Sequence, residues 1–188
     1  MASFMDKIRE ASSVTADRTP EHRAGGPGAS DPVPGPVAGW REWVALPDLD
    51  VDWVKAKIDT GARSSALHAY DLTVVERDGV EHVSFEVHPW QRSELDARRV
   101  ELPIFDRRTV RSSTGHEEDR IVVRTTIRII GLDVDAELTL TNRDEMGFRM
   151  LVGREALRGR ILVDPGRSYL GPRPMRALRR RNRAEPAA

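Results

Sequence analysis

The 188-residue sequence contains no cysteine, which excludes a disulfide framework, a thiolate metal site and a cysteine nucleophile. Long apolar runs are also missing. No segment approaches the ~20 consecutive apolar residues of a membrane-spanning helix, and residues 1–11 hold no run long enough for a signal peptide. These absences predict a cytoplasmic protein without a membrane segment. Its chemistry must rest on carboxylates, hydroxyls, histidine or lysine.

The sequence has no net charge, because 30 Lys and Arg residues balance 30 Asp and Glu residues. The balance is uneven, since residues 171–188 contain six arginines and one glutamate. One hypothesis makes this basic tail a nucleic-acid contact. Aromatic residues are only 5% of the chain, and none is interleaved with these arginines to stack on bases. A disordered, solvated tail is therefore favoured, and nucleic acid is not an expected partner.

Two changes of composition divide the chain. Residues 1–39 are rich in Pro, Gly, Ala and Ser, which predicts a disordered leader. From Trp40 onward, short apolar runs alternate with turn residues, as is typical of an all-β domain. We predict one folded domain at residues 40–170, which is long enough for a single core.

Apolar alternation places the strands within that domain. Residues 134–141 show it most clearly, with one apolar and one polar face. Asp78-Gly79 predicts a tight hairpin, and residues 131–133 predict a three-residue hairpin loop. A helical turn is expected at residues 154–157, in a small closed barrel of mostly antiparallel strands. The predicted strands are 43–46, 53–58, 72–76, 83–87, 121–130, 134–141, 148–152 and 161–163.

The chemistry concentrates where an apolar strand runs into Asp59-Thr60-Gly61. One interpretation is a turn, because Asp and Thr side chains cap turn amides and Gly accepts a positive φ. The other is a catalytic carboxylate. About ninety residues later, Leu151-Val152-Gly153-Arg154 forms a second apolar strand that ends at glycine and opens a helical turn.

Together the two segments resemble the retropepsin family of aspartic proteases. The sequence is more similar still to the bacterial RimB-like family, often labelled "ATP-dependent zinc protease" and associated with RimK-type glutamate ligases. The resemblance rests on residues 58–69, 110–116 and 151–157, and covers about residues 40–169. It implies a retropepsin-like barrel with one short C-terminal helix.

The resemblance also implies how the site would work. An aspartic protease needs two carboxylates that share one proton, and this sequence has one Asp-Thr-Gly. The second carboxylate is then Asp59 of another copy, in a homodimer with a two-fold axis at the site. Thr60 would brace the two loops, Gly61 would let the substrate backbone approach, and Gly153 and Arg154 would serve structure and the dimer.

Arg63 departs from the viral retropepsins, which have an acidic residue at this position. Arg154 therefore loses the partner that the family pattern provides. Arg63 could lower the pKa of Asp59, bind an acidic substrate side chain in a bidentate contact, or pair with a surface carboxylate. The expected substrate-binding residues are Ala62, Arg63, Ser64, His68, Gly115 and His116.

Several alternatives remain open from sequence. The flap over the site is either the hairpin at residues 77–79 or the segment 110–119. No zinc-ligand spacing and no phosphate-binding loop is present, so neither metal nor another cofactor is expected. The leading hypothesis is an aspartic peptidase acting on peptide or isopeptide bonds, with glutamate-rich tails as substrates. The alternative is a non-catalytic barrel that binds acidic peptides or an ATP-grasp glutamate ligase.

Overall fold

The strands of the folded unit differ in burial: residues 82–87 alternate between buried and partly exposed side chains, whereas residues 65–68 are buried throughout. The computed structural model describes residues 35–91, 93–111, 117–141 and 147–183. Within these ranges lie twelve strands and two α-helices: β1 (Val37–Gly39), β2 (Arg41–Leu46), β3 (Val51–Asp59), β4 (Ser65–His68), β5 (Tyr70–Arg77), β6 (Val80–Val87), β7 (Arg98–Pro103), β8 (Asp106–Arg111), β9 (Glu117–Ile129), β10 (Leu132–Thr141), β11 (Met150–Gly153), α1 (Arg154–Leu157), β12 (Leu162–Asp164) and α2 (Arg176–Arg181).

A closed barrel holds the core. Its sheet runs β10-β4-β11-β3-β2-β9-β8, and β9 also pairs with β10, which closes six strands into a ring with β8 outside it. Closure removes the exposed sheet edges. The inward faces supply fully buried side chains such as Leu46, Val54, Ile127, Leu138 and Met150. The prediction of a small, closed, all-β retropepsin-like barrel is confirmed.

Parallel pairings near the middle of the sheet position the site. β3 and β11 run parallel, with Gly153 opposite Asp59, and β4 runs parallel to β10. Parallel neighbours end at the same edge of a sheet. The loop after β3 and the start of α1 after β11 therefore meet.

Two hairpin turns test the local predictions. Asp78 and Gly79 join β5 to β6 with φ of 51° and 76°, so the predicted tight hairpin is confirmed. The predicted loop at residues 131–133 is wrong, because Leu132 already pairs with Ile129 and the turn is Ile130-Gly131. Ile130 has a φ of 47°, an unfavourable value for a β-branched residue. The pairing of β9 with β10 continues up to Ile129 and Leu132 and leaves only two residues for the turn. The hydrogen bonds of that pairing outweigh the cost of the unfavourable φ.

The structure also corrects the predicted termini. Residues 37–39, expected within a disordered leader, form β1 and pair with β12. Residues 176–181, expected within a disordered tail, form α2. Asp96 anchors this helix, because its carboxylate accepts a hydrogen bond from Trp90 Nε1 at 3.0 Å and pairs with Arg181. Because Asp96 lies about eighty residues before Arg181, the composition of the C-terminal segment alone does not predict this contact.

The segment before α2 is fastened by a buried carboxylate. Glu42 is 0% exposed, and it accepts hydrogen bonds from the backbone N–H groups of Gly39 (2.7 Å), Leu170 (2.9 Å) and Gly171 (3.1 Å). It thereby joins β1 and the C-terminal segment to β2. In the described part of the chain, neither helix has the length and apolarity that crossing a bilayer would require.

Candidate active site

The Asp59 carboxylate lies at the C-terminal end of β3, where the chain turns. Its Oδ1 accepts hydrogen bonds from the backbone N–H groups of Gly61 at 3.1 Å and Ala62 at 3.2 Å. The side chain is 26% exposed. Turn formation and catalysis are thus not exclusive, because the amides that close the turn also fix the orientation of the carboxylate.

Lys57 occupies the other oxygen. Its Nζ lies 3.2 Å from Asp59 Oδ2, and the lysine side chain is 47% exposed. Sequence reasoning missed this contact, although the signal was available, since residues two apart on a strand share a face. Partial burial by itself raises the pKa of Asp59, but hydrogen bonds from Lys57 and from the Ala62 and Gly61 amides, with the lysine charge, outweigh it. The net effect lowers the pKa of Asp59.

Arg63 is not the cation that acts on Asp59. The groups that lower the pKa of Asp59 are Lys57 and the two backbone amides. Arg63 is exposed and lines a cavity beside the loop. Its place in the cavity wall suits a contact with substrate better than a direct effect on the pKa of Asp59.

Gly153 and Arg154, in β11 and α1, brace the loop that follows β3. A Cβ at Gly153 would lie 2.4 Å from the Ser64 carbonyl oxygen, so the close approach requires glycine. The Gly153 N–H donates to Ser65 Oγ at 3.1 Å. The Arg154 guanidinium donates to the Gly61 carbonyl at 3.0 Å, and its backbone N–H donates to the Ala62 carbonyl at 2.8 Å.

Arg154 therefore has a hydrogen-bond partner although residue 63 is not acidic. Its guanidinium binds backbone instead of a side chain, and it supports the loop within its own protomer. This support is independent of any dimer contact.

A cavity of about 710 Å³ opens beside this loop. Arg63, Ser64 and Ser65 line one side, and Thr109 and Val110 of β8 line another. The charges in the cavity are mixed, because Arg108 also lines it and pairs with Glu137 at 2.7 Å. Strand β8 thus shares a cavity with the loop that follows β3, whereas the β5–β6 hairpin belongs to a separate three-stranded sheet with β7.

The predicted substrate residues separate into groups. Ala62, Arg63 and Ser64 lie in the loop beside Asp59, with Thr60 and Gly61 exposed. His68 is 2% exposed and lies three positions along β4 from Ser65, a distance of about 10 Å. Its ring packs on Tyr70 with centroids 4.0 Å apart, so the structure makes it part of the barrel wall. Gly115 and His116 lie outside the described residues.

The structure offers no metal-binding cluster in the described ranges, where no group of three or more His, Asp or Glu side chains is placed to hold an ion. His88, one of the imidazoles considered, lies 3.1 Å from Glu86 Oε2 through its Nε2 and stacks on Tyr70 at 4.1 Å. That arrangement is a packed side-chain stack just after the end of β6, away from Asp59 in sequence. The donor set around Asp59 itself consists of one carboxylate, one ammonium group and backbone amides.

A closed barrel with an Asp-Thr-Gly loop braced by a Gly-Arg helix start defines the retropepsin-like class of proteins. The model of the RimB-like family, described as "Retropepsin-like aspartic endopeptidase RimB", matches residues 37–174. The chain belongs to this family.

Relatives and solved structures agree with that assignment. A protein named "Probable alpha-L-glutamate ligase" from Shewanella pealeana is 46% identical over 133 residues, and one of the same name from Desulfotalea psychrophila is 43% identical over 129. These matches cover 71% and 69% of this chain, but only 29% and 28% of the two relatives. The crystal structure of Lpg0085, a protein of unknown function from Legionella pneumophila, is 26% identical with a TM-score of 0.60, covering 72% of this chain and 97% of that one.

Proposed function

We propose that this chain is an aspartic peptidase whose active site forms between two copies, each contributing Asp59. The observation that carries the proposal is the Asp59 carboxylate itself. Two amides orient it through Oδ1, while Oδ2 remains at a partly exposed loop surface. Thr60 and Gly61, which would face the second copy, are exposed in the single chain.

The chemistry needs one carboxylate of the pair ionised and one protonated. The ionised Asp59 takes a proton from water as the water oxygen bonds to the scissile carbonyl carbon. The protonated Asp59 of the other copy gives its proton to the carbonyl oxygen. Collapse of the resulting tetrahedral species breaks the C–N bond. The leaving nitrogen takes the proton that the first Asp59 removed from water, and a hydroxyl group of the tetrahedral species returns a proton to the second Asp59.

The β8–β9 hairpin is proposed as the flap. It already shares the 710 Å³ cavity with Arg63 and Ser64, and its strands extend from the barrel at β9. A cover at this position would exclude water from the carboxylate pair. The β5–β6 hairpin, the other sequence candidate, is the weaker choice because it pairs with β7 in another sheet.

The proposed substrates are glutamate-rich segments. Arg63 lies next to the catalytic loop, and a guanidinium suits bidentate contact with a glutamyl carboxylate. The relatives named as glutamate ligases support this choice. A ligase forms glutamyl bonds, and a hydrolase of glutamyl chains would break the same bonds. The same names favour a second candidate, a non-catalytic barrel that serves a glutamate ligase.

The test compares wild type with Asp59→Asn on glutamylated and unmodified peptides. Asp52→Asn, an exposed change on the same strand, is the matched control. We expect Asp59→Asn to abolish cleavage and Asp52→Asn to leave it unchanged. Equal cleavage by wild type and Asp59→Asn would eliminate Asp59 as the catalytic group, and no cleavage by wild type would favour the ligase-partner alternative.

Mixing experiments test the shared site. Adding excess Asp59→Asn protein to wild type should form mixed dimers and reduce activity by more than dilution alone. Adding Asp52→Asn protein should not reduce it. Activity that simply follows the amount of wild-type chain would contradict a site made from two copies.

A further inference from the structure

A second cavity lies where α2 covers the barrel. It has a volume of about 500 Å³. Its floor is made by buried apolar residues, Trp43 of β2 together with Pro89 and Trp90. It shares no lining residue with the cavity beside the catalytic loop.

The charge of this cavity is of one sign. Lys55 of β3 and two arginines of the C-terminal segment, Arg179 and Arg183, line it. None of the described residues that line it carries a carboxylate. The catalytic-loop cavity differs, since Asp135, Glu137 and Glu155 offset its arginines. A concave surface with cations above an apolar floor is suited to an organic anion.

Two buried polar atoms at this cavity lack partners among the described residues. Asn182 is only 4% exposed, and its Oδ1 accepts no hydrogen bond although its Nδ2 donates to the Leu178 carbonyl at 3.1 Å. The Nε of Arg179 is likewise buried without an acceptor. Buried polar groups are almost always satisfied. Neither atom is exposed to solvent, so a ligand in the cavity bonds to them only after the Arg179 and Asn182 side chains turn toward it.

Side-chain contacts hold the walls of this cavity in place. Trp90 forms part of its floor and donates to Asp96 at 3.0 Å, and Asp96 also pairs with Arg181 of α2. These contacts hold the helix that supplies Arg179 and that ends before Asn182. Arg179, Asn182 and Arg183 all lie beyond residue 174, where the match to the family ends. The match to the family therefore includes the floor of the cavity but not its two arginines and its amide.

We propose that this cavity binds a small organic anion that carries an aromatic ring and a hydrogen-bond donor. The anionic group pairs with Arg179 and Arg183, the donor bonds to Asn182 Oδ1, and the ring packs on Trp90 and Pro89. The anion can be a carboxylate, as at the end of a peptide, or a phosphate, as in a nucleotide. Both satisfy the same groups.

Calorimetric titration of the full chain tests the proposal with two probes. Hippurate combines a carboxylate, an amide N–H and a phenyl ring, and adenosine 5′-monophosphate combines a phosphate, an amino group and a purine. Methyl hippurate and adenosine are their uncharged controls. We expect at least one anion to bind with a Kd of about a millimolar or tighter and its uncharged control to bind at least about tenfold more weakly. Binding of hippurate alone identifies a carboxylate ligand, and binding of adenosine 5′-monophosphate alone identifies a phosphate.

Variants locate the binding. Arg179→Gln should weaken the bound anion by about tenfold, whereas Arg180→Gln, on the same helix but not lining the cavity, should leave it unchanged. With wild type, N-methyl hippurate should bind more weakly than hippurate, because it has no N–H for Asn182. Unchanged near-ultraviolet circular dichroism in both variants shows that α2 is still docked. The proposal is overturned if no probe binds, if the uncharged controls bind as tightly, or if Arg180→Gln weakens binding as much as Arg179→Gln.

Discussion

Asp59 and Glu42 are both carboxylates that accept backbone amides, yet their surroundings give them different uses. Glu42 is fully buried, and three amides share its two oxygens. Asp59 is partly exposed, with two amides on one oxygen and a flexible lysine on the other. A carboxylate enclosed by fixed donors stabilises the fold, whereas one whose outer oxygen meets only a movable cation remains available for chemistry.

The largest expected effect is the loss of stability when the buried carboxylate of Glu42 is removed. Glu42→Ala should lower the free energy of unfolding by about 3–5 kcal/mol, because three buried N–H groups lose their acceptor. Glu42→Gln keeps one acceptor oxygen and should cost less. Equilibrium urea unfolding measures both, with Asp59→Asn as the matched change at the exposed carboxylate. A loss from Asp59→Asn as large as that from Glu42→Ala would break the distinction.

A smaller stability effect is expected where β11 meets the loop that follows β3. Gly153→Ala should destabilise the protein by about 1–3 kcal/mol, because the added methyl group would press on the Ser64 carbonyl. Gly147→Ala is the control, since no atom of the described residues lies within 4 Å of its Cβ position. Thermal unfolding reports the cost. Equal melting temperatures for the two variants would contradict the close approach.

The ionisation of Asp59 should respond to Lys57. Lys57→Met removes the ammonium group, so the pKa of Asp59 should rise relative to wild type. Carbon-13 NMR titration of the Asp59 carboxyl measures this without requiring activity. Lys57→Arg should preserve the low pKa, and Lys55→Met, two residues earlier on β3, should not change it. An Asp59 pKa that is the same in Lys57→Met and wild type would remove the lysine from the mechanism.

If the pair of Asp59 carboxylates is catalytic, the pH profile should move with it. The shared proton would be lost at higher pH in Lys57→Met, so the alkaline limb of kcat/KM should shift upward. A change in rate with no change in the profile would instead indicate a purely structural role for Lys57.

The smallest effect is the pH dependence of stability. A folded-state pKa that is below the unfolded one stabilises the protein above the unfolded pKa, and the benefit is lost as the pH falls through the folded pKa. The stability difference between wild type and Lys57→Met should be at most about 1 kcal/mol at neutral pH, because the pair is partly exposed. It should shrink toward zero as the pH falls below about 4. Urea unfolding across that range checks the sign, and a difference that grows in acid would contradict it.

Local patterns were enough for much of the barrel. Strict alternation at residues 134–141 predicted β10, and Asp78-Gly79 predicted the turn between β5 and β6, because both features act within a few residues. The spacing of Asp-Thr-Gly and Gly-Arg predicted the family. Short strands were missed: β4 has four residues and is almost wholly buried, so it shows no alternation.

The amino-acid sequence by itself determined the class of fold and the candidate carboxylate Asp59, since these follow from short motifs and from one occurrence of Asp-Thr-Gly. Tertiary structure alone decided that Glu42 fastens the C-terminal segment, that Asp96 docks α2 and that Arg154 supports the Gly61 backbone. Each of these contacts joins residues roughly 85 to 130 positions apart. Only the folded barrel brings such residues within hydrogen-bond distance.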